Sequence, residues 1–218
     1  MIPSLSTLVR HHLATPAQPL PDATAGLTWI WAANGLFKRG VGADLDALIQ
    51  IADYVPRGRA SQLVPPGLAP LLPHVQWPAW PGRRIGGTLL DPLLASARHA
   101  VVNGTAIEKQ FFIVAGAPGA LRLIAPSGQQ ATPARVTYAM PAGERILVDI
   151  HSHHQMPPFF SATDDADDLG LSVSVVIGTI FTQPTIRCRL NVYGHRQAVP
   201  ARLIFDQLGP FVDSYGVL

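Results

Sequence analysis

The sequence contains one cysteine, Cys188. That excludes an internal disulfide framework and any Cys-rich zinc knuckle, and it suits a reducing compartment. Charge is also sparse, at 14% of residues, with 16 Lys and Arg against 14 Asp and Glu. The cations are mostly scattered arginines without a Lys/Arg block, so no nucleic-acid footprint is implied. No apolar run reaches the ~20 residues needed to cross a bilayer; the most apolar stretch, Leu171 to Phe181, is too short. The first twenty residues lack the charged start and continuous apolar stretch of a signal peptide. The expectation is a soluble, cytoplasmic protein that does not bind membranes.

What the sequence does have is a large apolar fraction, 48% of 218 residues. That is enough to bury a core, in one domain or two small ones. Leu27 to Trp31 and Leu36-Phe37 flank Asn34-Gly35, a strong tight-turn pair, so Gly26 to Arg39 reads as a β-hairpin. Leu45, Leu48, Ile49 and Ala52 then fall at i, i+3, i+4 and i+7, which predicts an amphipathic helix over 43–54. From Val55 to Arg84 proline is dense, including Pro65-Pro66 and Pro78 to Pro81, which blocks long helices and central strands. This stretch reads as a rigid linker, with a polyproline-type binding arm as the alternative. It divides a hairpin-helix region, 1–85, from a second domain, 86–218.

The second domain opens on a helix, with Asp91 as N-cap, Pro92 at the first helical position, an apolar face of Leu93, Leu94, Ala97 and Val101, and Asn103-Gly104 to close it. Strand-like segments follow at Phe111–Ala115, Leu121–Ala125, Val136–Met140, Ile146–His151, Leu171–Ile177, Thr185–Tyr193 and Ala201–Phe205. A short helix is expected after His153. The fold class is therefore α/β (α+β), a mixed sheet flanked by helices, with a small N-terminal α/β region.

Ile146 to His153 alternates like a half-buried strand and ends in His151-x-His153. Two histidines at i, i+2 share a strand face, with Cα atoms roughly 6.5 Å apart, so both imidazoles can converge on one ion. Ser161-x-x-Asp164 follows, and a loop folding back over the strand end would return the Asp164 carboxylate as a third ligand. Two His, one carboxylate and one open position make a catalytic rather than a structural zinc site. Such a site lowers the pKa of water to near ~7 and needs a carboxylate that does not bind the metal to take the proton. Glu108 is the candidate.

The pattern Glu108, His151-x-His153, seven residues, Ser161-x-x-Asp164 resembles the JAMM motif of the JAB/MPN-plus metalloproteases. The resemblance covers roughly 120 residues, about 87 to 206. Glu108 precedes a hydrophobic strand, as the family's glutamate does, although Phe111 stands where members often have a small residue. The resemblance implies one Zn2+ held by His151, His153 and Asp164. It also implies Glu108 as general base and Ser161 as a hydrogen-bond donor to the oxyanion of the tetrahedral intermediate. The proline-rich N-terminal region ahead of such a domain is similar to the JAB proteins of the bacterial PRTRC cassette. That implies a ubiquitin-like protein or its conjugates as substrate and E1-like and E2-like proteins as partners.

Other readings of the same residues stand beside these. Ser161-x-x-Asp164 also spells a capped helix start, and the acidic run through Asp168 suits a helix N-terminus. Asp149 lies on the ligand face and could orient an imidazole. His154 is harder to place, with surface exposure at least as good a reading as any role. His11, His12, His74, His99 and His195 lack ligand spacing, and Cys188 reads as a buried inert thiol. For the whole domain, the alternatives to an enzyme are a non-catalytic MPN-type metal-containing binding module and a RadC-like DNA-associated protein.

Overall fold

The computed structural model describes residues 9–53, 66–79, 82–116, 120–132 and 135–216. The chain divides into two compact units. One comprises 1–81, 169–171 and 190–197; the other comprises 82–168, 172–189 and 198–218.

The first unit is built on a five-stranded sheet of β1 (Val9–Leu13), β2 (Gly26–Ala32), β3 (Gly35–Val41), β4 (Asp46–Ala52) and β5 (His74–Gln76), in that order. β1 runs parallel to β2, and the remaining pairs are antiparallel. The β2–β3 hairpin turns at Ala33-Asn34, one residue before the expected Asn34-Gly35, and Gly35, at φ 144°, opens β3 opposite Ala32. A Cβ there would stand 2.2 Å from the Ala52 carbonyl oxygen, so only glycine fits. Ala14, Ile30, Ala32, Phe37, Leu48 and Leu71 form the buried core of this sheet.

The amphipathic helix expected over 43–54 is strand β4 instead. Leu48 and Ile49, adjacent in sequence, are both fully buried, because β4 has a strand on either side and apolar cover on both faces. A segment apolar on both faces satisfies either periodicity, and pairing with β3 and β5 decides between them. The described residues of the first unit are therefore β rather than α/β. Part of the proline-dense stretch is also sheet, since β5 pairs with β4 through Asp46 to Leu48. Residues 54–65 and 80–81, with Pro65 and Pro81, lie outside the described residues.

The second unit begins with a 3-10 turn, Gly87–Leu89, leading into α1 (Leu90–Arg98). The helix starts one residue before Asp91, and its N-cap is Leu89, which makes no side-chain cap. The preceding turn supplies the helical geometry that an Asp91 cap was expected to provide. Burial of Leu90, Leu93 and Leu94 contributes roughly 1.5–3 kcal/mol each. Asn103-Gly104 does not close this helix; with φ 50° and 78° it turns a two-residue hairpin between β6 (Val101–Val102) and β7 (Thr105–Ala106).

The remaining strands are β8 (Gln110–Ala115), β9 (Leu121–Ile124), β10 (Gln130–Thr132), β11 (Arg135–Thr137), β12 (Arg145–Ser152), β13 (Leu171–Gly178), β14 (Thr185–Val192), β15 (His195–Val199) and β16 (Val212–Asp213). A second helix, α2 (Ala162–Asp167), lies between β12 and β13. The main sheet runs β15-β14-β13-β12-β8-β9, with β16 beside β14. It is mixed: β12 pairs antiparallel with β8 and parallel with β13. Ala201–Phe205, expected as a strand, opens as a 3-10 turn over Ala201–Leu203. Pro200, which has no N–H to give a ladder, stands at its N-cap. No helix of the described residues is long and apolar enough to cross a membrane.

Candidate metal centre

β12 has a strand on each side, so its C-terminal end is held by backbone pairing. His151 lies opposite Gln110 on one side and Val176 on the other. One step past the strand, the His153 N–H still donates to the Ile177 carbonyl at 2.7 Å. Period-2 alternation puts His151 and His153 on one face, and their Nε2 atoms lie 3.2 Å apart.

The chain then returns through Met156 to Phe160. The loop is seated by the Thr179 N–H on the Met156 carbonyl and the Ile180 N–H on the His154 carbonyl, 2.8 and 2.7 Å. At Ser161 α2 starts with a full capping box. The Ser161 hydroxyl oxygen accepts from the Asp164 N–H at 3.2 Å, and Asp164 Oδ2 accepts from the Ser161 N–H. Asp164 Oδ1 remains, 3.7 Å from His151 Nε2. Capping and metal ligation are thus compatible, because each uses a different carboxylate oxygen.

Glu108 precedes β8 and is 7% exposed, with Oε1 3.8 Å from His153 Nε2. Ser152 fixes this approach. Its hydroxyl accepts from the Lys109 N–H at 3.0 Å, and its own N–H donates to the Lys109 carbonyl at 3.1 Å. The general-base candidate is thereby tied to the strand that carries both histidines.

The electrostatics follow from burial. Desolvation, and then the negative charge of Asp164, push the Glu108 carboxyl up to about 7. Burial pulls the His151 imidazole down to about 4 against the attraction of Asp164, and it lowers His153 too. Two neutral imidazoles facing each other at 3.2 Å can share only one hydrogen, whereas a cation between them satisfies both lone pairs. A tetrahedral ion with bonds of about 2.0–2.1 Å holds its ligand atoms roughly 3.3 Å apart. The separations of 3.2 and 3.7 Å bracket that edge. Among the described residues no group of three His, Cys, Asp or Glu side chains is placed to hold a metal ion as it stands; the donors make an open row from His153 through His151 to Asp164. Two imidazoles and a carboxylate could hold a divalent ion of borderline softness.

The neighbouring residues divide differently from the sequence reading. Asp149 accepts a short hydrogen bond from Gln110 Nε2 and is hydrogen-bonded to Tyr138, so neither of these partners is an imidazole. Burial raises it to about 7, although the Gln110 bond opposes that rise. His154 is not a surface residue: it is 5% exposed, with φ 35°, and its Nε2 is buried without a hydrogen-bond partner. The tight reversal after His153 turns it inward. His153 Nδ1 likewise has no hydrogen-bond partner, and the edge of Phe159 packs on its ring at 4.4 Å. Cys188 is buried and its thiol is pushed well above the usual range by desolvation. His11, His12, His74, His99 and His195 have contacts elsewhere.

Arg189 is the residue that the sequence reading missed. It is 4% exposed and reaches from β14 to α2, donating to Asp165 Oδ1, to the Asp164 carbonyl at 3.0 Å and to Asp168 Oδ2 at 2.6 Å. A signal was available, because an arginine within the apolar strand Thr185–Tyr193 needs a buried partner.

Residues 98–191 match the family model of prokaryotic homologs of the JAB domain. The stretch includes Glu108, His151, His153, Ser161, Asp164 and Arg189. No curated protein matches the chain.

Proposed function

Because residues 98–191 match the family model of prokaryotic JAB-domain homologs, we propose that the protein is a zinc-dependent isopeptidase or peptidase of the JAMM type. Its proposed substrate is the extended tail, or a lysine isopeptide conjugate, of a ubiquitin-like protein, alongside E1-like and E2-like partners. The observation that carries this reading is the row of His153, His151 and Asp164, with His151 Nε2 at 3.2 Å from His153 Nε2 and 3.7 Å from Asp164 Oδ1 and a buried Glu108 beside them.

His151, His153 and Asp164 would hold the ion. When bound, zinc supplies Lewis acidity to the scissile carbonyl and makes water a better nucleophile near neutral pH. The chain's own residues do the rest. Glu108 does not complete the ligand row and stands 3.8 Å from His153, so its carboxylate takes the proton from the attacking water and delivers it to the leaving amine. Its raised pKa, about 7, suits a group that must both accept and release a proton near neutrality. The Ser161 oxygen is occupied by the Asp164 N–H, but its hydrogen remains available to donate to the carbonyl oxygen as negative charge develops there. A donor fixed by a helix cap needs little reorganisation to do so.

The test is metal content of the untagged protein by plasma mass spectrometry, followed by tail cleavage of ubiquitin-like precursors. Wild type and Glu108→Gln should carry about one zinc per chain, His151→Ala and Asp164→Ala little, and all three variants should lose hydrolysis. Hydrolysis surviving in Glu108→Gln, or wild type that takes up no zinc, overturns the proposal.

A further inference from the structure

We infer that Arg189 is the positioning residue for the metal-binding carboxylate, setting Asp164 against His151 from beneath α2. The inference rests on the zinc reading above. α2 has six residues, Ala162–Asp167, and none is buried. An isolated helix of that length is far below what propagation can sustain, and it has no apolar face with which to dock. It also carries Asp164, Asp165 and Asp167 in sequence, with Asp168 as its C-cap, so its own charges repel one another.

Polar contacts therefore decide where α2 sits. At the N-terminus the capping box holds Ser161 and Asp164 to each other, but both residues belong to the segment being placed. The tie to the sheet is Arg189. One guanidinium nitrogen meets Asp165 Oδ1, and another is shared by the Asp164 carbonyl and Asp168 Oδ2. The face of the guanidinium covers the Phe160 ring at 4.0 Å. Ser174 on β13 adds a hydrogen bond to the same Asp168 oxygen at 2.7 Å. Arg189 thus grips the residue before the cap, the backbone of the ligand residue and the C-terminal end of the helix. Its rigid fork fixes orientation as well as distance, which a lysine point charge does not. The ligand atom Asp164 Oδ1, 3.7 Å from His151 Nε2, is where that grip becomes chemistry.

The experiment measures zinc affinity by competition with a chromophoric chelator, and the visible spectrum of the cobalt-loaded protein. The proteins are wild type, Arg189→Gln, Asp164→Ala and the double variant, all at temperatures well below their unfolding. Arg189→Gln should bind zinc about ten- to a hundred-fold more weakly, as for other groups that orient a ligand, and its cobalt spectrum should shift toward that of Asp164→Ala. In the Asp164→Ala background, where two histidines remain, Arg189→Gln should change affinity less than twofold. A merely structural arginine does not produce that non-additivity. Equal affinity in wild type and Arg189→Gln overturns the inference and leaves the zinc site standing, as does an undiminished loss in the Asp164→Ala background. Wild type that binds neither metal overturns the zinc reading itself, and this inference with it. Should Arg189→Gln not fold, Asp165→Asn/Asp168→Asn, which removes both carboxylate partners and keeps the arginine, carries the same cycle.

Discussion

Asp164 faces His151 with one carboxylate oxygen, Oδ1 at 3.7 Å from Nε2, while the other oxygen closes the helix cap on Ser161. The two functions separate by substitution. Asn at 164 keeps an oxygen for the Ser161 N–H but offers a neutral, weaker donor to a metal. Asp164→Asn should therefore lose zinc while its unfolding free energy stays close to wild type. Asp164→Ala loses both the ligand and the return bond from the Ser161 N–H and should fall by about 0.5–1.5 kcal/mol, the usual net worth of one hydrogen bond. Metal content and urea unfolding of the metal-free proteins make the comparison. Equal destabilisation by both substitutions would show that the oxygen retained by Asn does not hold the Ser161 N–H.

Ser152 supports the opposite side of the site. It is fully buried, and its hydroxyl takes the Lys109 N–H next to Glu108. Ser152→Ala leaves that N–H without its partner, which costs about 1–3 kcal/mol, and loosens Glu108 without touching His151 or Asp164. Zinc content should hold while kcat for tail cleavage drops by at least tenfold. Parallel loss of zinc and kcat would mean that Ser152 supports the histidines rather than the base.

Much of the site could be read in the chain because its signals are local: a two-residue histidine spacing on a strand and a four-residue cap. The β2–β3 hairpin was legible for the same reason, with its turn one residue earlier than the Asn34-Gly35 pair. Positions decided by distant partners were not. β4 carries apolar residues on both faces, so only its pairing with β3 and β5 distinguishes strand from helix. β1, β5 and β15 are edge strands with polar or proline-rich sequences, and they show no alternation apart from the neighbours they join. Arg189 lies 24 residues from Asp165 in sequence, and no local pattern links them.

Gly178 sets the approach of the loop after His153 to the end of β13. A Cβ there would lie 2.3 Å from the Met156 carbonyl and 2.6 Å from the Pro158 nitrogen, both backbone atoms. Backbone cannot rotate away as a side-chain tip can, so Gly178→Ala must displace the segment leading to Phe159 and Ser161. Overpacking of this kind costs about 1–3 kcal/mol. A lower urea midpoint together with weaker zinc binding is the expected result. An unchanged midpoint would mean that the loop moves aside without penalty.

The first unit carries a pH-dependent stability of its own. Asp46, 3% exposed, accepts both arms of the Arg39 fork at 2.8 and 2.6 Å. Burial alone would raise its carboxyl, but the Arg39 hydrogen bonds and charge outweigh that and hold it at about 2. His74, with Nε2 at 3.6 Å from Asp46 Oδ1, is beyond hydrogen-bond reach and assists by charge only when protonated. An unfolded aspartate titrates near ~3.9. The folded value is lower, so the stabilisation is fully present above about pH 4 and is lost as pH falls toward 2. Its size is on the order of 2–3 kcal/mol. Trp29, Trp31 and Trp77 lie in this unit, so fluorescence-detected urea unfolding reports on it. The midpoint should fall steadily between pH 4 and pH 2 in wild type. In Asp46→Asn it should start lower, because Arg39 is left buried without its counter-charge, and should vary less with pH over the same range. A slope in Asp46→Asn as steep as in wild type would assign the acid sensitivity to other carboxylates.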